Sequence, residues 1–267
     1  MNSKKKFLAT PYVFWSGMFI IIPLCMILYY GLTDKTGAFT LDNILAIASV
    51  GHAKALWRSL LLSLISTVIC FILAYPLAMI LSNMKGNQYR FIILIFILPM
   101  WMNFLLRTLA WQTLLEKTGV INGVLSFFGL PLLKIINTSY AIVLGMVYNF
   151  LPFMVLPLYN VLSKIDRNVI NAAKDLGANQ VQTFFRVILP LSVPGIISGV
   201  TMVFVPALTT FVISTLLGGS KVLLIGNVIE QEFTQASNWH LGSGLSIVLM
   251  IFIIINMIVT ALFEKKK

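Results

Sequence analysis

The chain has 267 residues, of which 59% are hydrophobic and only 10% charged, and it carries a formal net charge of +11. An ordinary soluble domain has about a quarter of its residues charged, so this composition, with a mean hydropathy of +0.95, excludes that class and predicts a polytopic, all-α membrane protein. The excess of Lys and Arg is a topological bias and an attraction to anionic headgroups, and is poor evidence for nucleic-acid binding.

Lys4, Lys5 and Lys6 precede a first apolar run, Tyr12–Tyr30. The run is long for a signal-peptide core and no A-x-A-like site follows it, so an uncleaved span is expected. Five more stretches match the ~30 Å of hydrocarbon that about 20 helical residues cross: Ser59–Leu81, Phe91–Trp111, Tyr140–Tyr159, Gly195–Leu217 and Gly244–Phe263. Barrel strands would instead alternate over about ten residues, so six transmembrane helices are predicted. Pro76, Pro99, Pro152, Pro157 and Pro206 fall inside these spans, where each removes a backbone donor and can kink its helix. Gly195 and Gly199 form a G-x-x-x-G through which another helix can pack closely. Cys25 and Cys70, both within spans, read as small buried apolar residues without a disulfide.

Three longer connections separate the spans. In Gln112–Ser139, Ile121, Val124, Leu125 and Phe128 recur at i, i+3, i+4 and i+7, the pattern of a short helix at the membrane surface, or of a lid or docking ledge. Gly218–Ser243 carries Ile225, Val228, Ile229 and Phe233 with Glu230 and Glu232 between them, and ends near Trp239. This reads as an interfacial amphipathic helix with an aromatic anchor, or as a contact for solute or an external protein. The third, Asn160–Pro194, is the polar interruption of the chain, and Ile170, Ala173, Gly177, Val181, Phe184 and Ile188 follow one another at helical steps of three and four. One helix over Asn171–Phe185 is expected, with Asp166 capping the segment and Gly177 leaving a bare patch in the middle of its face.

Orientation follows from the connections. With the N-terminus in the cytoplasm, the inside holds Lys4, Lys5, Lys6, Lys85, Arg90, Lys164, Arg167, Lys174, Arg186, Lys265, Lys266 and Lys267, twelve cations; the outside holds Lys35, Lys54, Arg58, Lys117, Lys134 and Lys221, six. Both termini and the Asn160–Pro194 loop are therefore expected to be cytoplasmic.

Catalytic chemistry is hard to assemble from this chain. Its two histidines, His52 and His240, lack Cys, His or Asp partners at metal spacing. There is no H-E-x-x-H or G-x-S-x-G, and Gly218-Gly219-Ser220-Lys221 lacks phosphate-loop spacing. The spans carry no Asp or Glu of the kind that proton- or sodium-driven carriers use. One charge, Arg107, falls inside a span; it either snorkels to the interface, lines the mouth of a pathway, or pairs with Glu116 or Glu232.

The run Asn171-Ala172-Ala173-Lys174-Asp175-Leu176-Gly177-Ala178, with Phe184, Ile188 and Leu189-Pro190 behind it, resembles the EAA loop of type I ABC importer permeases, the binding-protein-dependent transport inner membrane components. Leu151–Tyr159, Leu217–Lys221 and Leu224–Ile229 are similar to the spermidine/putrescine branch of that family. One departure is Asn171, where the motif has Glu; an exposed ion pair is worth only ~0–1 kcal/mol, so the resemblance stands and Asn171 becomes a doubtful contact.

The resemblance implies a MetI-like ABC permease fold, one permease domain over residues 1–267 with a cytoplasmic EAA coupling helix in the loop 160–194. It implies a cell-membrane heterodimer with a second permease subunit, two cytoplasmic ATPase subunits that bind the ATP, and an extracytoplasmic polyamine-binding protein, in contact with membrane lipid. No cofactor or catalytic residue is expected in this chain. The ATPase-coupling residues would be Asn171, Ala172, Ala173, Asp175, Leu176, Gly177, Ala178 and Phe184. For a polycation, aromatic faces and neutral or acidic acceptors are suitable lining, and Trp101, Asn103, Tyr148, Asn149 and Glu230 are the candidates. The alternatives are a permease for another small solute, a self-contained secondary carrier or channel, and a membrane-embedded enzyme.

Overall fold

The structure, a computed structural model, describes residues 11–84 and 88–265. Lys4, Lys5, Lys6, Lys85, Lys266 and Lys267, which entered the charge count, lie outside the described residues. The fold is all-α, and among the described residues strand-like pairing is limited to one bridge, Thr33 with Phe39. Five helices are long and apolar enough to cross a membrane: α1 Pro11–Gly31, α2 Val50–Asn83, α6 Ser139–Leu162, α8 Gln180–Thr209 and α11, whose apolar stretch is Trp239–Leu262 within Trp239–Lys265. Between them lie α3 Gln88–Trp101, α4 Phe104–Leu115, α5 Val120–Phe127, α7 Arg167–Asp175, α9 Val212–Gly218 and α10 Ile225–Thr234.

Two expected spans are not single helices. Phe91–Trp111 is divided between α3 and α4, because Asn103 leaves the helical conformation and its side chain accepts hydrogen bonds from Leu105 N and Leu106 N, starting a new helix. Gly195–Leu217 is divided between α8 and α9, where Thr210 adopts an extended conformation. Hydropathy cannot register either break, since both halves remain apolar.

The chain packs as two compact units, Met1–Ala55 with Val228–Ile254, and Leu56–Asn227 with Ile255–Lys267. In the first, the end of α1 meets the start of α11. Gly31 lies so close to Ser243, Gly244 and Ile247 that a Cβ would stand 2.4 Å from Ile247 Cδ1. Asn43 donates to Thr33 O (2.9 Å), and His240 Nδ1 bridges Tyr30 O (3.0 Å) and Thr33 O (2.7 Å).

The second unit is built around α6, which packs most closely with α8. Lipid tails are as apolar as Leu, so helices in a membrane associate through van der Waals packing of small residues rather than by escaping water. Gly195 and Gly199 serve that purpose within the chain: a Cβ on Gly195 would lie 3.0 Å from Pro157 O, and one on Gly199 would lie 2.7 Å from Met154 Sδ. The G-x-x-x-G thus seats α8 on α6. Tyr75 OH and Ser192 Oγ, 2.8 Å apart, join α2 to α8, and Thr201 and Thr260 hydroxyls meet at 3.1 Å. Cys25 and Cys70 are both free; Cys70 is buried, whereas Cys25 is exposed on α1.

The expected surface helix is α5, although its stripe is split. Ile121 and Leu125 are half-buried while Val124 and Phe128 are exposed. Buried Asn122 fixes the connection, donating to Glu116 O (3.1 Å) and Leu133 O (3.0 Å) and accepting from Leu133 N (2.8 Å).

Candidate translocation and coupling sites

The two helix breaks define the first site. α4 and α9, the short segments beyond the breaks, pack against each other and both pack on α6. Unwound points in membrane helices leave carbonyls and amide groups without intrahelical partners, and such backbone is tolerated only where protein or a cavity satisfies it.

At the first break, Arg107 satisfies it. Its Nη1 donates to Pro99 O at 2.5 Å, and its guanidinium lies 6.0 Å from the Phe104 ring centre and 5.8 Å from that of Tyr148. Pro99 is close to the C-terminal end of α3, where the helix dipole is negative and favours a cation. Arg107 is 7% exposed, so it does not snorkel, and within its unit its contacts are with this carbonyl and these rings rather than with Glu116; Glu232 belongs to the first unit. Its Nε and the Oδ1 of Asn149 are buried without a hydrogen-bond partner. Trp111 adds an edge-on contact to Tyr148 at 5.1 Å.

The structure therefore gathers Asn103, Arg107 and Tyr148 around one break of the second unit, and Asn149 belongs to the same unit. Trp101 ends α3 with its side chain 78% exposed. Asn149 donates to Gly145 O (2.8 Å) and keeps its carbonyl oxygen spare. Glu230 belongs to the first unit, where its carboxylate accepts from Thr234 Oγ1 at 3.0 Å.

At the second break, Asn227 is the organising residue. Its Oδ1 accepts from Ser214 Oγ and from Leu224 N (3.1 Å), while its Nδ2 donates to Phe211 O (3.1 Å) and Thr215 Oγ1 (2.7 Å). Gly226 makes the approach possible, because a Cβ there would lie 2.8 Å from Thr209 O and 2.9 Å from Thr210 O. Ile225 N is taken up by Ser59 Oγ at 2.8 Å. The sequence places no obvious function on Asn227; the available signal was a Gly-Asn pair inside an amphipathic pattern. Ile225, read as part of an interfacial stripe, is fully buried.

The second site is the loop 160–194. Asp166 caps α7 by accepting from Asn168 N at 2.9 Å. The single helix expected over Asn171–Phe185 is instead a helix, a turn and a second helix. α7 ends in a Schellman turn, with Gly177 N on Lys174 O (2.8 Å) and Ala178 N on Ala173 O (3.0 Å). Gly177 has φ +86° and open space around it. Its lack of a side chain serves this left-handed turn, and it is not a bare patch in a helical face. Asn179 and Gln182 then form a reciprocal capping box that starts α8. Ile170, Ala173, Phe184 and Ile188 face partly inward. Asn171, Ala172, Asp175 and Leu176 are exposed, with Leu176 at 89%.

Residues 48–266 match the family model for the binding-protein-dependent transport system inner membrane component. The chain belongs to this ABC transporter permease family. It is 38% identical over 256 residues to the spermidine/putrescine transport system permease protein PotB of Haemophilus influenzae, covering 92% of this chain and 90% of that protein. PotB of Escherichia coli K12 is 37% identical over 245 residues, 89% of each. A bacterial ABC transporter involved in the import of the acidic polysaccharide alginate matches in fold with a TM-score of 0.81 at 18% identity, over 98% of this chain and 96% of that one. Family membership and the apolar helices make the chain an integral, multi-pass membrane permease close to PotB, and its relatives are transporter subunits rather than enzymes. Within this permease, Gly226-Asn227 secures a broken helix, a physical role for part of the Leu224–Ile229 segment that resembles the spermidine/putrescine branch.

Proposed function

We propose that this chain is one permease half of an ATP-driven polyamine importer of the cell membrane. It pairs with a second, PotC-like permease subunit, two PotA-like ATPase subunits and a PotD-like extracytoplasmic binding protein, and six membrane crossings form its single domain, with α3 and α4 together making the third. The observation that carries this reading is the 37–38% identity to spermidine/putrescine permeases along about nine-tenths of the chain. ATP binds and is hydrolysed in the partner subunits, so this chain needs no cofactor of its own.

Aromatic faces and neutral acceptors recognise an ammonium group, and Tyr148 and the spare Asn149 carbonyl, on consecutive residues of α6, are of those types. The carbonyl at the end of α3 is already taken by Arg107, and that buried guanidinium favours a second reading, import of an anionic solute.

Coupling runs through the loop 160–194, on the cytoplasmic side by the distribution of Lys and Arg. In this reading α7 and its turn form the EAA coupling element. Asn171, Ala172, Asp175, Leu176 and Gly177 contact the ATPase, while Ala173, Ala178 and Phe184 hold the turn to the permease body. ATP binding moves the ATPase pair, the coupling elements follow, and the permease halves alternate between outward- and inward-open states. Reconstitution of the assembled complex with its binding protein tests the solute: labelled spermidine or putrescine enters with ATP. Uptake of sulfate or a sugar without polyamine uptake would remove the polyamine assignment.

A further inference from the structure

In the first unit, two cavities adjoin and share Met26, Tyr30 and Trp239. The larger, of 590 Å³, is an open recess lined also by Lys35, Ser237, Asn238 and His240. The smaller, of 290 Å³, continues over Pro23, Ile27 and Phe233. One end is therefore polar and basic, and the other is apolar.

Their arrangement along α1 is regular. Pro23, Met26, Ile27 and Tyr30 stand at i, i+3, i+4 and i+7, one stripe of a helix about 10 Å long at 1.5 Å per residue. Since α1 has the length and apolarity of a membrane span, the stripe descends from the helix end into hydrocarbon. Tyr30 and Trp239 (6.3 Å between rings) with Phe233 (5.5 Å from Trp239) mark the headgroup level.

The polar end is pre-built. His240 Nδ1 faces two carbonyl oxygens, of Tyr30 and Thr33, which requires its proton on Nδ1 and fixes the start of α11 to the end of α1. Asp34 is turned into its own loop, accepting from Thr36 N (2.8 Å), Thr36 Oγ1 (2.6 Å) and Ala38 N (3.0 Å). Those bonds, with that from Thr36 Oγ1 the largest cause, hold its carboxyl below the usual carboxylate range, and all three fall on Oδ1, none of them from Lys35. Asn238 accepts from Leu241 N through Oδ1 (3.3 Å), which leaves the amide Nδ2 as the donor for a ligand oxygen.

We propose that this pair of cavities binds one anionic phospholipid. Lys35, Ser237 and Asn238 hold the headgroup phosphate, Tyr30 and Trp239 flank the glycerol, and an acyl chain lies along Ile27, Met26 and Pro23. A polyamine is disfavoured by Lys35. A docked soluble protein would not follow the apolar groove down a membrane span. The assignment rests on the membrane-permease reading but is independent of the solute and of which leaflet this end of α1 faces.

The purified, assembled importer, delipidated and supplied with phosphatidylglycerol, is assayed for retained lipid by native mass spectrometry. Retention is expected to fall by more than the roughly fivefold effect of one lost cation near an anionic headgroup in Lys35→Glu, which also adds an anion, and to be lost in Met26→Trp, which fills the junction of the two cavities. Lys221→Glu, elsewhere in the chain, leaves retention unchanged, and water-soluble glycerophosphate does not compete. Equal retention by wild type, Lys35→Glu and Met26→Trp overturns the proposal, as does full competition by glycerophosphate, which would mark a plain phosphate site. A complex that partitions into the aqueous phase without detergent would instead refute the membrane reading beneath it.

Discussion

Arg107 reaches back across a broken helix to the carbonyl oxygen of Pro99, 2.5 Å away, and its guanidinium lies over Tyr148 of a third helix. The side chain thereby replaces the backbone continuity lost between α3 and α4. Removing a charged donor from a buried acceptor costs about 1–3 kcal/mol. Arg107→Ala is expected to lower uptake by reconstituted complexes at least tenfold while the subunits still co-purify. Arg107→Lys keeps the charge without the planar fork and stacking, and gives an intermediate rate; equal rates for all three proteins would deny the break a role in transport.

Gly177 tests the turn. A residue with a Cβ in the left-handed region costs roughly 1–2 kcal/mol, and Asn is the tolerated substitute. Recovery of the ATPase with the permease is expected to follow Gly177, then Asn, then Ala, with Gly177→Val lowest. Because nothing lies within 4 Å of the built Cβ, side-chain size alone should not set the order. Were Gly177→Ala neutral and Gly177→Asn disruptive, the conformational account would fail.

Gly195 and Gly199 are predicted to differ although both face α6. The obstacle at Gly195 includes a backbone oxygen, Pro157 O at 3.0 Å, whereas the nearest atom at Gly199 is a Met154 sulfur able to change rotamer. Overpacking costs typically 1–3 kcal/mol. Thermal unfolding in detergent should show Gly195→Ala more destabilised than Gly199→Ala; the reverse order would mean that the helices meet differently.

Asn227→Ala deprives Phe211 O and Leu224 N of partners in the second break. A loss of about 1–3 kcal/mol follows for each buried group left unsatisfied, so lower thermal stability and uptake are expected. Asn227→Asp keeps an acceptor for Leu224 N but forfeits the amide donors to Phe211 O and Thr215 Oγ1, and should not rescue. Wild-type stability in Asn227→Ala would show that these bonds are dispensable.

The contrast between spans and breaks shows what the sequence records. Runs such as Tyr140–Tyr159 announce helices because lipid demands continuous apolar residues, and Asp166 announces a cap because it precedes a helical segment and its carboxylate is an acceptor. The break at Thr210 is silent, since Thr209, Thr210 and Phe211 suit lipid in either conformation and their stabilising partner, Asn227, is 16 residues away from Phe211. The loop misled in a different way. Apolar steps of three and four continue from Ile170 to Ile188 across a turn, so periodicity joined two helices that Gly177, followed by Asn179 and Gln182, separates. A stop signal followed by a capping box outweighs an unbroken period.

The measurement closest to the central claim concerns Leu176, the exposed tip of that turn. In an importer whose Cys25 and Cys70 are replaced, Leu176→Cys is treated with a membrane-impermeant thiol reagent and, separately, with a short bifunctional crosslinker. Reaction is expected in inside-out vesicles and not in intact cells, with crosslinks to the ATPase subunit. Labelling of Leu176→Cys from outside intact cells, or crosslinks only to the binding protein, would contradict a cytoplasmic coupling loop.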